Sequence, residues 1–420
     1  MKNKLIFLLN HKTFRNIGFL CIGNIIAQFI SLIGAFYIPK LLGAEQYGIY
    51  NTVTAFVLLF SVFTFEGLNK VIIREASVDI KKLKEILEAT FGLKIIFAIL
   101  SSLFCVFLVL FIDYDSGTKI YIAIFSISLL LRGTNGSINS IYQANENMKI
   151  LALFSIVTQL IQVPIAIFLL KMGNGVLSLI LLQLSVNLIA LVINYFYSKN
   201  FILFNPFSKI KFLAKYLKSG FNFTLLGIAG ALSEKIDLVM LSFMTTPANV
   251  GIYALAYNIA NKGLIIRGPI SQSLFPYYSK RLINKQISIK TLFNQTLAIL
   301  LPTVFIAMFV TLFSKYLIVN FIGVEYAKSA VVLNILIFYL IMNYATIPFG
   351  LALQVTNNEL KLVYLNVVRA IINIVGNLLF FKYYGIIGIA YSTLLGATFI
   401  AVSQILISRK TMINYLKPFN

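Results

Sequence analysis

Tryptophan is absent from this 420-residue chain, histidine occurs once, cysteine twice, and 13 acidic side chains stand against 35 lysines and arginines. These scarcities exclude several classes. Cys21 and Cys105 both fall inside apolar runs, which argues against a stabilising disulfide, and they lack metal-ligand spacing. His11, flanked by polar and charged residues, reads as a solvated N-terminal side chain. Charged residues make up 11% of the chain, well under the roughly 25% of a soluble domain. The lack of tryptophan is compatible with an AT-rich genome and names no host.

What the chain has instead is apolar length. Hydrophobic residues make up 59% and the mean hydropathy is +0.90, which marks an integral membrane protein. Twelve apolar runs approach the roughly 20 residues of a spanning helix. They begin with 17–39 and 48–68, include 120–139, 220–243, 251–276, 330–352 and 362–381, and end at 386–407. Almost nothing remains for a soluble domain. The short apolar stretch Leu5 to Leu9 stops at Asn10-His11-Lys12; it is too short for a cleaved signal peptide and fits an interfacial helix better.

The formal charge of +22 would point a soluble protein toward nucleic acid, but its distribution decides otherwise. Taking the gaps between runs alternately from the N-terminus, 23 of the 35 basic residues fall in one set, 6 in the other, and six inside the runs. This asymmetry predicts that both termini and the basic loops 69–91, 199–219 and 277–291 are cytoplasmic. The excess charge then serves topology and contact with anionic headgroups, with no nucleic-acid partner.

Two short repeats sit half a chain apart. Gly48-Ile49-Tyr50 recurs as Gly251-Ile252-Tyr253, and the segment from Gln143 to Lys149 is echoed from Gln354 to Lys361. Six spans return the chain to its starting side, so the halves share one orientation. The expected architecture is therefore all-α: twelve transmembrane helices in two six-helix lobes related by a pseudo-two-fold axis along the membrane normal. The lobes are residues 1–198 and 220–420, joined by the cytoplasmic loop 199–219.

Charges inside the runs are the candidates for function, because a charge near the bilayer centre costs about 2.5–3.5 kcal/mol on insertion scales. They are Lys94, Arg132, Lys235, Lys262, Arg267, Arg369, Glu66, Glu234 and Asp237. The cationic excess predicts an anionic cargo. At 100° per residue, Arg132 shares a polar face with Ser128, Asn135 and Asn139, and Arg369 shares one with Asn366, Asn373 and Asn377. Asn24, Gln28 and Ser31 form a third such face. Interhelical amide glue is the competing explanation, worth about 0.6 kcal/mol per bond on average, and it suits Asn24, Gln28 and Ser31 best. Arg132 and Arg369 are better explained by a ligand, since guanidinium offers a bidentate fork for phosphate.

Glu234 and Asp237 are three apart on one helical face, whereas Lys262 and Arg267 diverge by 140° on an unbroken helix. Internal ion pairing competes here with carriage of a coupling proton or Na⁺. Lys94 and Glu66 lie near expected helix ends, and Lys94 reads as snorkelling to the interface. Pro164, Pro269, Pro302 and Pro348 mark candidate kinks. Tyr47, Tyr277, Tyr278, Tyr383 and Tyr384 read as interfacial anchors.

Asn16, Gly18, the turn from Pro39 to Tyr50 with its Leu42-Gly43 and Tyr47-Gly48 pairs, and Val250-Gly251-Ile252-Tyr253-Ala254-Leu255-Ala256-Tyr257 together resemble a known family. These segments are similar to polysaccharide flippases, the O-antigen and capsule repeat-unit translocases of the Wzx type. That family sits within the multidrug/oligosaccharidyl-lipid/polysaccharide exporter superfamily. The resemblance implies a bacterial inner-membrane protein that moves an undecaprenyl-pyrophosphate-linked oligosaccharide to the outer leaflet, driven by an ion gradient of H⁺ or Na⁺ without ATP or cofactor. It also implies a polysaccharide polymerase and a chain-length regulator as partners. On this resemblance Arg132, Lys262, Arg267 and Arg369, with Asn135, Asn139 and Asn373, are the substrate-binding residues, and Glu66, Glu234 and Asp237 the ion-coupling ones.

Two alternatives remain. An exporter of a drug or of another polyprenyl-linked precursor has the same architecture, although cationic drugs suit an acidic cavity. A membrane-embedded polymerase is a different class: Asp113-Tyr114-Asp115 has the spacing of a metal-nucleotide site, but as a short loop it reads as a solvated turn. Transport, rather than enzymatic turnover, is the expectation.

Overall fold

The computed structural model describes residues 12–78, 82–145, 147–202, 213–283, 288–356 and 358–416, and every regular element among them is helical. His11 and the expected N-terminal interfacial helix lie outside the described residues.

Helix α1, Lys12–Phe60, joins the first two expected runs across a kink at Gly43, whose φ of 76° and ψ of 165° suit a residue without Cβ. The second run is not continuous to residue 68 as expected. It ends in a 3₁₀ turn, Ser61–Thr64, and Phe65 takes a left-handed conformation (φ 58°, ψ 47°) before α2, Gly67–Val78. Such a conformation costs a residue with a Cβ about 1–2 kcal/mol. Neighbours hold the break in place: Ser101 Oγ donates to the Phe60 carbonyl at 2.6 Å, and the Phe65 ring stacks on Phe97 at 5.0 Å. On α2, Leu68, Val71, Ile72 and Ala76 are buried while Lys70 and Arg74 are exposed, the one-sided pattern that lets a short helix dock.

The helices that follow are α3 (Lys82–Leu110), α4 (Ser116–Ala144), α5 (Met148–Lys171), α6 (Val176–Ile202) and α7 (Leu213–Met244). After them come α8 (Pro247–Lys262), α9 (Arg267–Ile283), α10 (Ile289–Leu317), α11 (Ala327–Ala345), α12 (Ile347–Val355), α13 (Glu359–Tyr384) and α14 (Ile386–Leu416). Two more expected runs are broken. Run 251–276 is interrupted by a turn at 263–266, and run 330–352 breaks at Thr346. Pro348 sits in the first turn of α12 and Pro269 in that of α9, where the missing N–H costs nothing. Pro164 and Pro302, by contrast, lie within continuous helices.

Eight described helices are long and apolar enough to cross a membrane, and their outer faces carry exposed side chains such as Phe305, Leu312 and Phe168. A helix satisfies its backbone internally, so lipid can solvate that surface. The chain is an all-α membrane protein.

It divides into two compact units: the first comprises Met1–Leu42 and Ile49–Lys235, the second Gly43–Gly48 and Ile236–Asn420. In the first unit α4 packs against α2, α3 and α6, around a core of Leu68, Ile72, Leu83, Ile86, Leu87 and Ile141. In the second, α11 packs against α8, α10 and α14, and α13 lies along α14.

The second unit also explains the repeated tripeptide. A Cβ on Gly48 would lie 1.7 Å from the Pro247 carbonyl oxygen, and one on Gly251 would lie 2.0 Å from that of Ala44. The two glycines of the repeat therefore meet, backbone against backbone. Around them Asn258 Nδ2 donates to Tyr47 Oη at 2.9 Å, and Tyr47 meets Tyr326 edge to face at 6.3 Å.

Candidate functional site

The broken helix in the first unit opens a polar recess. Two adjoining cavities, about 500 and 400 Å³, share Glu66, Asn69, Gly136 and Asn139 as walls. The larger adds Lys70 and Gln143, the smaller Arg132, Asn135, Asn187 and Asn194. Three of the four residues of the stripe expected on α4 are thus brought into one place, Arg132 exposed and Asn135 and Asn139 half-buried, while Ser128 is buried outside both cavities. Glu66, expected to couple an ion, stands in the same walls and is exposed.

Within this group Asn135 has a structural share. Its Nδ2 donates to the Asn187 carbonyl at 3.2 Å, and its Oδ1 accepts from Asn194 Nδ2 at 3.0 Å. The amide clamps α4 to α6. Asn187 and Asn194 were not singled out from sequence, although their seven-residue spacing on an apolar helix was a usable signal.

Lys94 does not snorkel. It is 1% exposed and donates to Asn69 Oδ1 at 2.5 Å, the Gly133 carbonyl at 2.9 Å and Ser137 Oγ at 2.9 Å. An ammonium has three donors and no acceptor, so all three are used. A desolvated charge is tolerated only with such compensation, and Glu66 lies within electrostatic range.

The second unit holds a buried carboxylate. Asp237 on α7 is 1% exposed. Its Oδ1 accepts from Asn377 Nδ2 at 2.8 Å, and its Oδ2 accepts from Thr393 Oγ1 at 2.7 Å and Tyr253 Oη at 3.1 Å. Four helices, α7, α8, α13 and α14, therefore converge on one side chain. The oxygen of the Asn377 amide, Oδ1, is buried without a protein partner. Glu234 stands in α7, its side chain outside those described. Asn373, one turn before Asn377, accepts from Ser392 Oγ at 2.9 Å and is buried.

Arg369, half-buried on α13, lies over the Tyr339 ring at 5.6 Å, a cation–π contact worth about 0.5–2 kcal/mol. Its electrostatic neighbours include Arg267 and Asp237. Arg267, exposed at the start of α9, also neighbours Tyr339 and Tyr344. The turn at 263–266 separates Arg267 from Lys262, so the 140° divergence expected on an unbroken helix does not apply; Lys262 is half-buried at the end of α8. Among the described residues no carboxylate forms an ion pair with Arg132, Arg267 or Arg369.

Asp115, half of the Asp-Tyr-Asp spacing, caps α4: it accepts from the Thr118 N–H at 2.8 Å and the Thr118 hydroxyl at 2.6 Å. Among the described residues no group of three His, Cys, Asp or Glu is placed to hold a metal.

Comparison with known proteins adds kinship to this geometry. The family model described as "Polysaccharide biosynthesis protein" matches residues 13–282. The chain is 23% identical over 360 residues to a protein of Escherichia coli (strain K12) described as "Putative O-antigen transporter", covering 83% of this chain and 84% of that one. Among solved structures, an inward-facing multidrug resistance MATE family transporter of the MOP superfamily is similar with a TM-score of 0.75 and 13% identity, over 94% of this chain and 96% of that one. The lipid II flippase MurJ, in an inward closed conformation, is similar at 0.72 and 16%, over 95% and 92%. At these identities the structural likeness is one of fold.

Proposed function

Since the chain belongs to the polysaccharide biosynthesis protein family, we propose that it is a flippase for an undecaprenyl-pyrophosphate-linked oligosaccharide, working by alternating access from the cytoplasmic to the outer leaflet. One observation carries the reading: Arg267 and Arg369 are electrostatic neighbours, and no carboxylate among the described residues pairs with either of them. Two neighbouring guanidinium groups with no carboxylate in ion-pair contact repel each other, an anion relieves that repulsion, and their planar forks match phosphate oxygens. In this reading they hold the pyrophosphate, Lys262 and Arg132 supply further positive charge, and Asn135 and Asn139 line the path, whereas Asn373, expected to bind substrate, is buried against Ser392 and packs α13 on α14. A cytoplasm-negative potential favours outward movement of the anionic group by about 2.3 kcal/mol per charge per 100 mV.

Asp237 is the best-supported ion-coupling group of the three candidates, ahead of Glu66 and Glu234. Its two oxygens accept from three buried donors, the Asn377 amide nitrogen and the Thr393 and Tyr253 hydroxyls, and a carboxylate enclosed in this way is the natural place to take up a proton or a small cation from the gradient. Because Arg369 lies within electrostatic range of Asp237, neutralising that carboxylate would leave the positive field at the guanidinium less offset and favour phosphate there. The reading extends to the architecture: twelve spans in two lobes, 1–198 and 220–420, related by a pseudo-two-fold axis and joined by the segment 199–219, with both termini cytoplasmic in a bacterial inner membrane. The internal repeats and the basic-loop asymmetry support it. A polymerase and a chain-length regulator are the natural partners of such a step.

The test is transport of a fluorescent undecaprenyl-pyrophosphate-linked oligosaccharide in proteoliposomes. Arg267→Ala and Arg369→Ala, each at wild-type expression, should lower the initial rate at least tenfold. Undiminished transport by the double variant would refute the cationic site.

A further inference from the structure

The recess of the first unit is donor-rich, and one buried lysine makes it so. Lys94 offers only donors, so the atom that Asn69 turns toward it at 2.5 Å is the amide oxygen. The Asn69 –NH₂ must then face the other way. It lies against Gly136, where a Cβ would come within 2.7 Å of Nδ2, and both residues are walls of the two cavities. Rotating the amide would set –NH₂ against –NH₃⁺, donor against donor, in a place where Lys94 is 1% exposed. The orientation is therefore fixed from behind.

The other charged walls add to the imbalance. Arg132 and Lys70 are donors only, and Glu66 is the one carboxylate among the walls. A plain hexose brings hydroxyls that donate as readily as they accept, which leaves the surplus donors no better served than by water. A sugar ring bearing a carbonyl-type oxygen, as an acetamido group or a uronate carboxylate, brings an acceptor without a matching donor. Cavities of about 500 and 400 Å³ fall within the usual range for small-ligand sites.

We propose that this recess is a glycan subsite of the flippase that selects a sugar carrying an acetamido or carboxylate oxygen, with Asn69 Nδ2 touching that oxygen and Lys94 acting as the positioning residue behind it. The proposal rests on the flippase reading only for the origin of the sugar.

Asn69→Asp tests it without removing the lysine's partner. The substitution keeps shape and leaves Lys94 an oxygen to bind, but turns the atom facing the recess from –NH₂ into an acceptor. The full chain in lipid nanodiscs is titrated by saturation-transfer NMR with N,N′-diacetylchitobiose, digalacturonate and maltose, and separately with sugar-free undecaprenyl pyrophosphate. The wild type should bind one or both of the first two at least tenfold more tightly than maltose, and which of them binds identifies the source of the oxygen. Asn69→Asp should lose at least tenfold for that ligand and change less than twofold for undecaprenyl pyrophosphate. In Lys94→Met the preference over maltose should collapse while binding of undecaprenyl pyrophosphate persists, a split that loss of packing alone does not give. If that variant does not fold, Asn69→Asp decides the matter.

Equal binding of maltose, an unchanged Asn69→Asp, or no sugar binding by a protein that still takes undecaprenyl pyrophosphate would each overturn the proposal and leave the flippase reading standing. Sugar selectivity in a protein that ignores undecaprenyl pyrophosphate would do the reverse.

Discussion

Replacing Gly48 by alanine should destabilise the protein even though alanine is the better helix former by about 1 kcal/mol. The new Cβ would lie 1.7 Å from the Pro247 carbonyl oxygen, 2.6 Å from its carbonyl carbon and 2.9 Å from the Gly251 nitrogen. The closest comfortable carbon–oxygen approach is about 3.3 Å, so the two backbones must separate by about 1.6 Å, the difference between those two distances. Both sides of the contact are main chain, so no side-chain rotation can relieve it. Tight interiors answer such insertions with strain of about 1–3 kcal/mol or more. Gly230→Ala is the matched control: it also lies in a helix, and a Cβ there meets nothing within 4 Å, so it should be neutral or gain up to about 1 kcal/mol. The assay is the surviving monodisperse fraction by size-exclusion chromatography after stepwise heating in detergent. Gly48→Ala should lose its peak several degrees below wild type while Gly230→Ala does not. Coincident melting of the two variants would refute the close-approach argument.

Other outcomes follow from the same geometry. Asp237→Asn retains an oxygen for Asn377 and should fold, yet transport by it should no longer respond to an imposed H⁺ or Na⁺ gradient; a wild-type response would remove Asp237 from coupling. Asp115→Ala should cost about 0.5–2 kcal/mol by uncapping α4, read as a lower melting temperature, while Asp115→Asn should cost little. Slight burial alone would raise the Asp115 carboxyl, but hydrogen bonds from the Thr118 hydroxyl and backbone N–H groups outweigh it and hold it below its ordinary value. Its contribution is therefore complete above the usual range near 4 and is lost as pH falls through the lowered value. The melting temperature of the wild type should consequently drop further than that of Asp115→Asn between about pH 6 and pH 3, because unperturbed carboxylates titrate near 4 in both proteins.

Local spacing carried the sequence reading well where one helix was involved. Arg132, Asn135 and Asn139 follow the helical period and do line one recess, and Gly48 and Gly251 stand out as a repeat because both must lack a side chain where they meet. The reading failed where contacts span the fold. Lys94 takes its partners from positions 25, 39 and 43 residues away, so hydropathy alone sends it to the interface. The break at Phe65 has no proline and is followed only by Gly67; the contacts that hold it, from Ser101 and Phe97, come from another helix. Asp237 was visible as a charge, but Tyr253 and Thr393, 16 and 156 residues away, gave no sign of converging on it.

The setting of Lys94 resembles the interior of an ionophore, with one difference. Oxygens from an amide, a peptide carbonyl and a hydroxyl surround a cation, but that cation is tethered to the chain and cannot be exchanged with the medium. Its occupancy is therefore constitutive: swapping Na⁺ for K⁺, Li⁺ or choline outside leaves it untouched. If Asp237 senses the gradient, the two units divide the labour electrically, one enclosing a group tethered to its own chain and the other answering to an ion from the medium. Cation-replacement experiments on this protein should then register only in the second.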